Sequence, residues 1–223
     1  MPTAPVILLP PSEGKADGGH GPAIDLDALS FTELTGQREA MCAALATAMR
    51  RNEAERSKLL GVKGKVLASS TVANRAVLSA PTMPAIERYT GVLYDALDVA
   101  SLSSRDRRRL NTQVLIFSGL WGVVRPNDPI PDYKLKMGAT LPRLGKVSTW
   151  WRDPLSAAIA PMVGAAVVWN LLPNEHDNAW EPTATHADAS KPPSAILSVK
   201  FLDEGPAKKG VRTFTTVNHW NKL

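Results

Sequence analysis

Three short apolar runs, at residues 6–9, 114–117 and 165–172, the last interrupted only by Asn170, stand out from a chain whose other hydrophobic positions mostly recur every three or four residues. Runs of this length, rich in Val, Ile and Leu and closed by Pro, Gly or Asn, read as strands buried on both faces. Each passes directly into polar residues: PSEGK after the first, SGLWG after the second and PNEH after the third. Polar side chains are thereby delivered to the carboxyl ends of buried strands, where α/β proteins do their chemistry.

Between these runs the period changes. Residues 37–60 carry Met41, Ala44, Leu45, Ala48 and Met49 on one face, which predicts one long amphipathic helix. Residues 58–68, KLLGVKGKVLA, read as a helix end, a glycine-punctuated turn and a second helix start. Pro84 opens a predicted helix over 84–97, with Ile86, Tyr89, Leu93 and Leu97 facing inward. Ser103 and Asp106 have the spacing of a capping box, and the helix they start carries Arg105, Arg107, Arg108 and Arg109. Ser148 predicts the cap of a helix through Trp150, Trp151, Leu155 and Ile159. The polar, proline-rich stretch 177–193 reads as a loop, and 195–203 with 210–217 as an antiparallel hairpin around GPAKKG. Strands with helices between them add up to an α/β fold, a mixed sheet with helices on both faces.

The densest candidate chemistry lies in 115–141, LIFSGLWGVVRPNDPIPDYKLKMGATL. Gly119, Gly122, Pro126, Pro129 and Pro131 forbid a long regular element, so turns must hold the polar groups. Ser118, Arg125, Asp128, Tyr133 and Lys134 bring a hydroxyl, a planar fork donor, a carboxylate, a phenol and an ammonium together, a set suited to binding an anion or moving a proton. A proline-stiffened loop with a solvated Arg125–Asp128 pair is the alternative. Ser12 and Lys15 follow the first strand, Asn170 and Glu175 the third, and Trp151 adds an aromatic surface. Burial of Lys15 or Tyr133 beside Arg125 would lower its pKa and poise it for proton transfer or nucleophilic attack.

SGLWGVVRPNDPIPDYKLKMG resembles the signature SGLYGxLRPxDxxxPYRLEMG of the YaaA family of bacterial peroxide stress proteins. VILLPPSEGK, ERYTGVLYDAL, VVWNLLPNEH and VKFLDE resemble further segments of that family in the same order, so the likeness covers most of the chain. It implies a single domain over 1–223 with the fold called cantaloupe, a positively charged cleft and a helix-hairpin-helix element. The turn at 58–68 is similar to the helix-hairpin-helix consensus LPGVGPKTA, with Lys63 at the second glycine and Leu60 at the proline. In such a hairpin Lys58, Gly61, Lys63, Gly64 and Lys65 would grip phosphates without reading bases, aided by Arg107 and Arg108. A plain glycine-stopped helix turn and solvated basic faces account for the same letters. The chain ends at NHWNKL, where the family continues through a Lys-rich helix, so that basic helix is expected to be missing.

Charge and cysteine usage narrow the partners. The 26 basic against 21 acidic residues and a net charge of +5 permit nucleic-acid binding without requiring it. Cys42 is the only cysteine, in an apolar helical stretch, which fits a reducing cytoplasm and excludes a disulfide framework. No apolar run approaches the roughly 18 residues of a membrane span, and no signal peptide is visible. The Walker, Rossmann and HExxH patterns are absent, the four histidines are scattered, and neither a metal site nor a cofactor is assigned.

Three function classes remain. The family resemblance implies a cytoplasmic DNA-binding protein of the oxidative stress response that limits iron and peroxide damage. The polar strand ends suggest instead an enzyme on a small anionic or nucleotide-like substrate, with Lys15, Ser118, Arg125, Asp128, Tyr133 and Glu175 as catalytic candidates and Ser12, Lys134, Trp151 and Asn170 binding the ligand. An interaction scaffold without chemistry is the third.

Overall fold

The apolar run at 6–9 becomes the middle strand of the sheet. In the computed structural model, which describes residues 4–182, 192–199, 202–208 and 211–216, the elements are β1 (Val6–Leu9), α1 (Thr35–Ala48), α2 (Glu53–Leu60), α3 (Gly64–Arg75), β2 (Met83–Pro84), α4 (Ala85–Arg88), α5 (Val92–Leu97), α6 (Ser104–Gln113), β3 (Val114–Ser118), β4 (Gly122–Val124), β5 (Pro129–Ile130), β6 (Thr140–Leu141), β7 (Gly145–Lys146), α7 (Val147–Val163), β8 (Val167–Asn170), α8 (Asn174–Asp177), β9 (Ala195–Ser198), β10 (Leu202–Lys208) and β11 (Val211–Thr216). The main sheet has five strands in the order β4-β3-β1-β8-β9. Pairs β3-β1, β1-β8 and β8-β9 are parallel, and β4 is antiparallel to β3, so the fold is α/β with a mixed sheet. Every residue of β3 is buried, as its unbroken apolar run requires. Leu8 pairs with Leu115 on one side and Asn170 on the other. The carboxyl ends of β1, β3 and β8 therefore leave the sheet at one edge.

Several predicted helices are cut where a capping residue overrides the apolar period. The stretch 37–60 is two helices, because Asn52 turns extended and its side chain accepts from the backbone N–H of Glu55 at 3.0 Å, starting α2 afresh. The stretch 84–97 is likewise split: Tyr89 is extended and bridges Lys15, and Gly91, at φ 99°, restarts the chain as α5. Ser103 caps α6 as expected, accepting from Asp106 N. Ser148 is no cap; α7 begins after Lys146, and Ser148 lies buried in its first turn with its N–H on the Met137 carbonyl. The expected hairpin shifts too: residues 195–198 join the main sheet as β9, and β10 pairs instead with β11. Most of the loop expected at 177–193 lies outside the described residues.

Residues 118–141 are mostly irregular yet buried, so their backbone groups need donors and acceptors from elsewhere. Arg38, fully buried on α1, supplies donors at two points and ties them to a second segment: Nε donates to the Trp121 carbonyl at 3.1 Å and Nη2 to that of Val123 at 2.9 Å, while Nη1 and Nη2 also reach the Phe31 and Ser30 carbonyls at 3.2 and 2.8 Å. Burial pushes its pKa down to about 10, and it stays charged at neutral pH. Arg88, equally buried, donates to Ile130, Ala16, Gly18 and Pro81 and so ties the glycine-rich loop after β1 to the same segment. Arg38→Met keeps the bulk and strands four carbonyls, of which those of Trp121 and Val123 are in buried bonds, at about 1–3 kcal/mol for each buried group left unpaired. Urea unfolding should show a loss of at least about 3 kcal/mol; a midpoint equal to the unaltered protein's would show that Arg38 is not the tie.

Candidate functional site

Lys15 projects over the faces of two tyrosines, its Nζ 4.4 Å from the Tyr133 ring centroid and 5.6 Å from that of Tyr89. The backbone bridge between Lys15 and Tyr89 sets this placement, and Tyr133 arrives from the irregular segment after β5. Below the rings runs a buried hydroxyl chain in which Tyr133 Oη is 2.7 Å from both Ser118 Oγ and Tyr89 Oη. Ser118 Oγ already accepts from the N–H groups of Leu120 and Trp121, at 3.2 and 3.0 Å, so its own proton points to Tyr133. Ser118 thus closes the turn after β3 and anchors the phenol.

A cleft of about 240 Å³ opens beside Lys15, lined by Glu13, Ser69, Ser70, Asp132, Tyr133 and Lys134 among others. Its far wall is α3, and one side chain of that helix fixes the near wall. Asn74 is buried; its Nδ2 donates to the Lys134 carbonyl at 2.9 Å and its Oδ1 accepts from Lys134 N–H at 2.8 Å, as a paired strand would. Glu13 reaches Lys136 at 3.1 Å and Lys134 at 3.9 Å across the mouth. Gly119 is required behind it, since a Cβ there would come within 2.5 Å of the Leu135 carbonyl oxygen.

Burial decides the ionisation. It pushes Lys15 down to about 8, against the opposing carboxylates of Asp132 and Glu13. The same burial pushes Tyr133 up to about 12 and Tyr89 well above its ordinary value, so the phenols stay protonated. The lowering expected for Tyr133 is therefore reversed, and Arg125 plays no part in either shift. Cys42 is pushed up to about 12 and is an inert apolar residue.

The other predicted positions fall around this cleft or away from it. Ser12 bonds the Gly14 carbonyl, accepts from Thr90 N–H at 3.0 Å, and offers its own carbonyl to Lys15 at 3.4 Å. Arg125 turns outward from the loop to the Asn111 and Thr112 carbonyls at 2.9 and 3.1 Å, and Asp128 accepts from Arg125 N–H and from Ser30. The two are joined through backbone and make no side-chain ion pair. Trp151 is fully buried, its indole N–H on the Gly119 carbonyl. Asn170 is buried between Asp177 Oδ1 and Leu172 N–H, and the Glu175 carboxylate lies against Gly138.

Lys58, Lys63 and Lys65 are exposed around the turn joining α2 to α3, where Gly61 adopts the left-handed conformation that ends α2. Gly64 opens α3. Lys136 bridges that turn to the cleft, its Nζ lying 3.6 Å from where a Cβ of Gly61 would stand. Arg107 and Arg108 are exposed on α6, with Arg107 bonded to the Leu102 and Ala100 carbonyls. Among the described residues no three His, Cys, Asp or Glu are placed to hold a metal ion, and no helix is long and apolar enough to cross a membrane.

Arg38, Asn74, Arg88, Asp132 and Lys136 escape sequence reasoning, and Tyr89 reads there only as an inward-facing helix position. Asp132 and Lys136 flank predicted residues in the signature and could have been included. Nothing in the spacing marks the buried arginines or Asn74.

Fold and site together define an α/β protein with a lysine-lined cleft beyond the carboxyl end of a parallel strand, walled on one side by α3. The profile of the peroxide stress protein YaaA family matches residues 6–223, and the chain belongs to that family. It is 41% identical over 217 residues to a UPF0246 protein of Streptomyces coelicolor, covering 97% of this chain and 78% of that one. A UPF0246 protein of Corynebacterium glutamicum is 44% identical over 158 residues, 69% of this chain and 61% of the relative. One of Corynebacterium efficiens is 47% identical over 137 residues, 61% and 53% respectively. Against these two the aligned chain spans less than two thirds of the relative's length.

The low Lys15 pKa has a signed consequence. A lysine whose folded pKa lies below its unfolded 10.5 destabilises the fold fully below about pH 8, and that penalty fades as pH rises from 8 to 10.5. Lys15→Met should therefore be more stable than the unaltered protein at pH 7, with the gap closing toward pH 10.5. A gap independent of pH in urea melts would contradict the burial of the amine.

Proposed function

We propose that this chain is a cytoplasmic protein of the peroxide stress response that binds the phosphate backbone of DNA without reading bases. One observation carries the reading: Lys136 stands beside the α2–α3 turn and, through Glu13, beside Lys134, so the lysines of the turn and of the cleft form one basic surface. Exposed Lys63 and Lys65 at the start of α3 extend it. Such a surface grips phosphate oxygens through point charges and backbone N–H groups. Membership of the peroxide stress family agrees with a protective role on DNA. A second reading, an enzyme on a small anionic substrate, is favoured by the part-buried amine of Lys15 and the polar cleft beside it.

Duplex binding followed by anisotropy should weaken steeply with salt: with about four phosphates contacted, affinity falls roughly a hundredfold between 50 and 200 mM salt. Replacing Lys63 and Lys65 by Glu should lower affinity alike for unrelated sequences and reduce the salt slope by about 2. Binding that is absent at low salt, or unchanged across that range, would remove the reading.

A further inference from the structure

We propose that Lys15 is an imine-forming amine whose substrate is an aldehyde- or ketone-bearing sugar phosphate, either free or as the open sugar of an abasic site in DNA. The proposal builds on the enzymatic reading of the cleft and names its substrate class. Lysine attacks a carbonyl only as the free amine, so a reactive lysine needs surroundings that fail to hold its proton. For Lys15 it is burial that does this, outweighing the groups that favour its ammonium. Its Nζ makes one long contact, 3.4 Å to the Ser12 carbonyl, and no ion pair among the described residues. Its floor is two aromatic faces, which attract the ammonium but offer no hydrogen-bond acceptor, their hydroxyls being turned away into the Ser118 chain.

The charged and titratable groups around it are few. Asp132, from the signature loop, and Glu13, two residues before it, favour the ammonium; Lys134 and Arg88 oppose it, and Tyr133 and Tyr89 stay neutral. Glu13 is itself engaged by Lys134 and Lys136. With burial dominating, a pKa of about 8 in place of 10.5 raises the free amine at neutral pH by roughly 300-fold.

The cleft suits the rest of the substrate. Its 240 Å³ equals about eight water volumes, room for a small sugar phosphate. Lys134 in the wall and Lys136 at the mouth offer the phosphate a charge, and Ser69, Ser70 and Asp132 face the hydroxyls. The step balances without a redox partner. The neutral amine adds to the carbonyl carbon, the carbinolamine loses its oxygen as water with both amine protons, and a C=N bond replaces C=O.

The test traps that bond. The unaltered chain is incubated with cyanoborohydride and either deoxyribose 5-phosphate or a duplex holding one abasic site, and the adduct is located by peptide mass mapping. The expected result in at least one arm is reduction onto Lys15 at least tenfold faster than onto any other lysine, with a rate rising to a midpoint near pH 8 and lost in Lys15→Arg. An adduct in the free-sugar arm alone identifies the small molecule as the source; one in the duplex arm identifies the abasic sugar. Labelling spread over surface lysines with a midpoint above 10, or no adduct in either arm, overturns the proposal. Anisotropy on an intact duplex, run on the same protein, reports DNA binding separately, so failure of one reading is not failure of the other.

Discussion

A long segment with little regular structure, 118–141, crosses the interior of this molecule, and a buried backbone without a ladder must find its partners among side chains. Arg38 meets part of that need at Trp121 and Val123 and Arg88 at Ile130, and each ties the segment to carbonyls of other parts of the chain, four carbonyls in all for each arginine. Planar guanidinium forks suit this role because their donors diverge in fixed directions, which a lysine cannot reproduce. With both in place, Asn74 can hold Lys134 as a strand would, and Tyr133 can lie flat beneath Lys15. The cleft is a product of these ties.

The cleft's chemistry follows from what the ties leave over. The hydroxyls of Ser118, Tyr133 and Tyr89 satisfy one another and two backbone N–H groups, so they anchor and do not face a ligand. What does face it is an amine that burial has made less basic, two further lysines, the carboxylates of Glu13 and Asp132, and Ser69 and Ser70 of α3. On the proposed reading, a site of that composition would hold phosphates and keep one nucleophile in reserve, so that the proposed DNA binding and the proposed reaction would share one surface.

Much of this was legible in the chain itself. The apolar runs at 6–9 and 114–117 are strands, the third run holds β8, and the Ser103 cap is where its spacing put it. The signature segment does supply the cleft's near wall. The helix at 37–60 misled because its apolar period continues across Asn52, whose cap wins locally; the signal N-x-x-E was present but weaker to the eye than the period. Arg125 and Asp128 looked paired because they are three residues apart, yet the carboxylate takes the backbone N–H and the guanidinium swings to the end of α6. Arg38 and Arg88 were illegible, because one arginine on a helix reads as a solvated face and only tertiary packing makes it a tie.

The central claim is that the cleft lysines and the α2–α3 turn act as one phosphate-binding surface. Its most direct test is to follow the side-chain amine signals of isotope-labelled lysines by NMR as a short duplex is added at low salt. Signals of Lys15, Lys134 and Lys136 should move together with those of Lys63 and Lys65, along one binding curve. Movement of the turn lysines with the cleft lysines unperturbed, or movement of neither, would contradict the account.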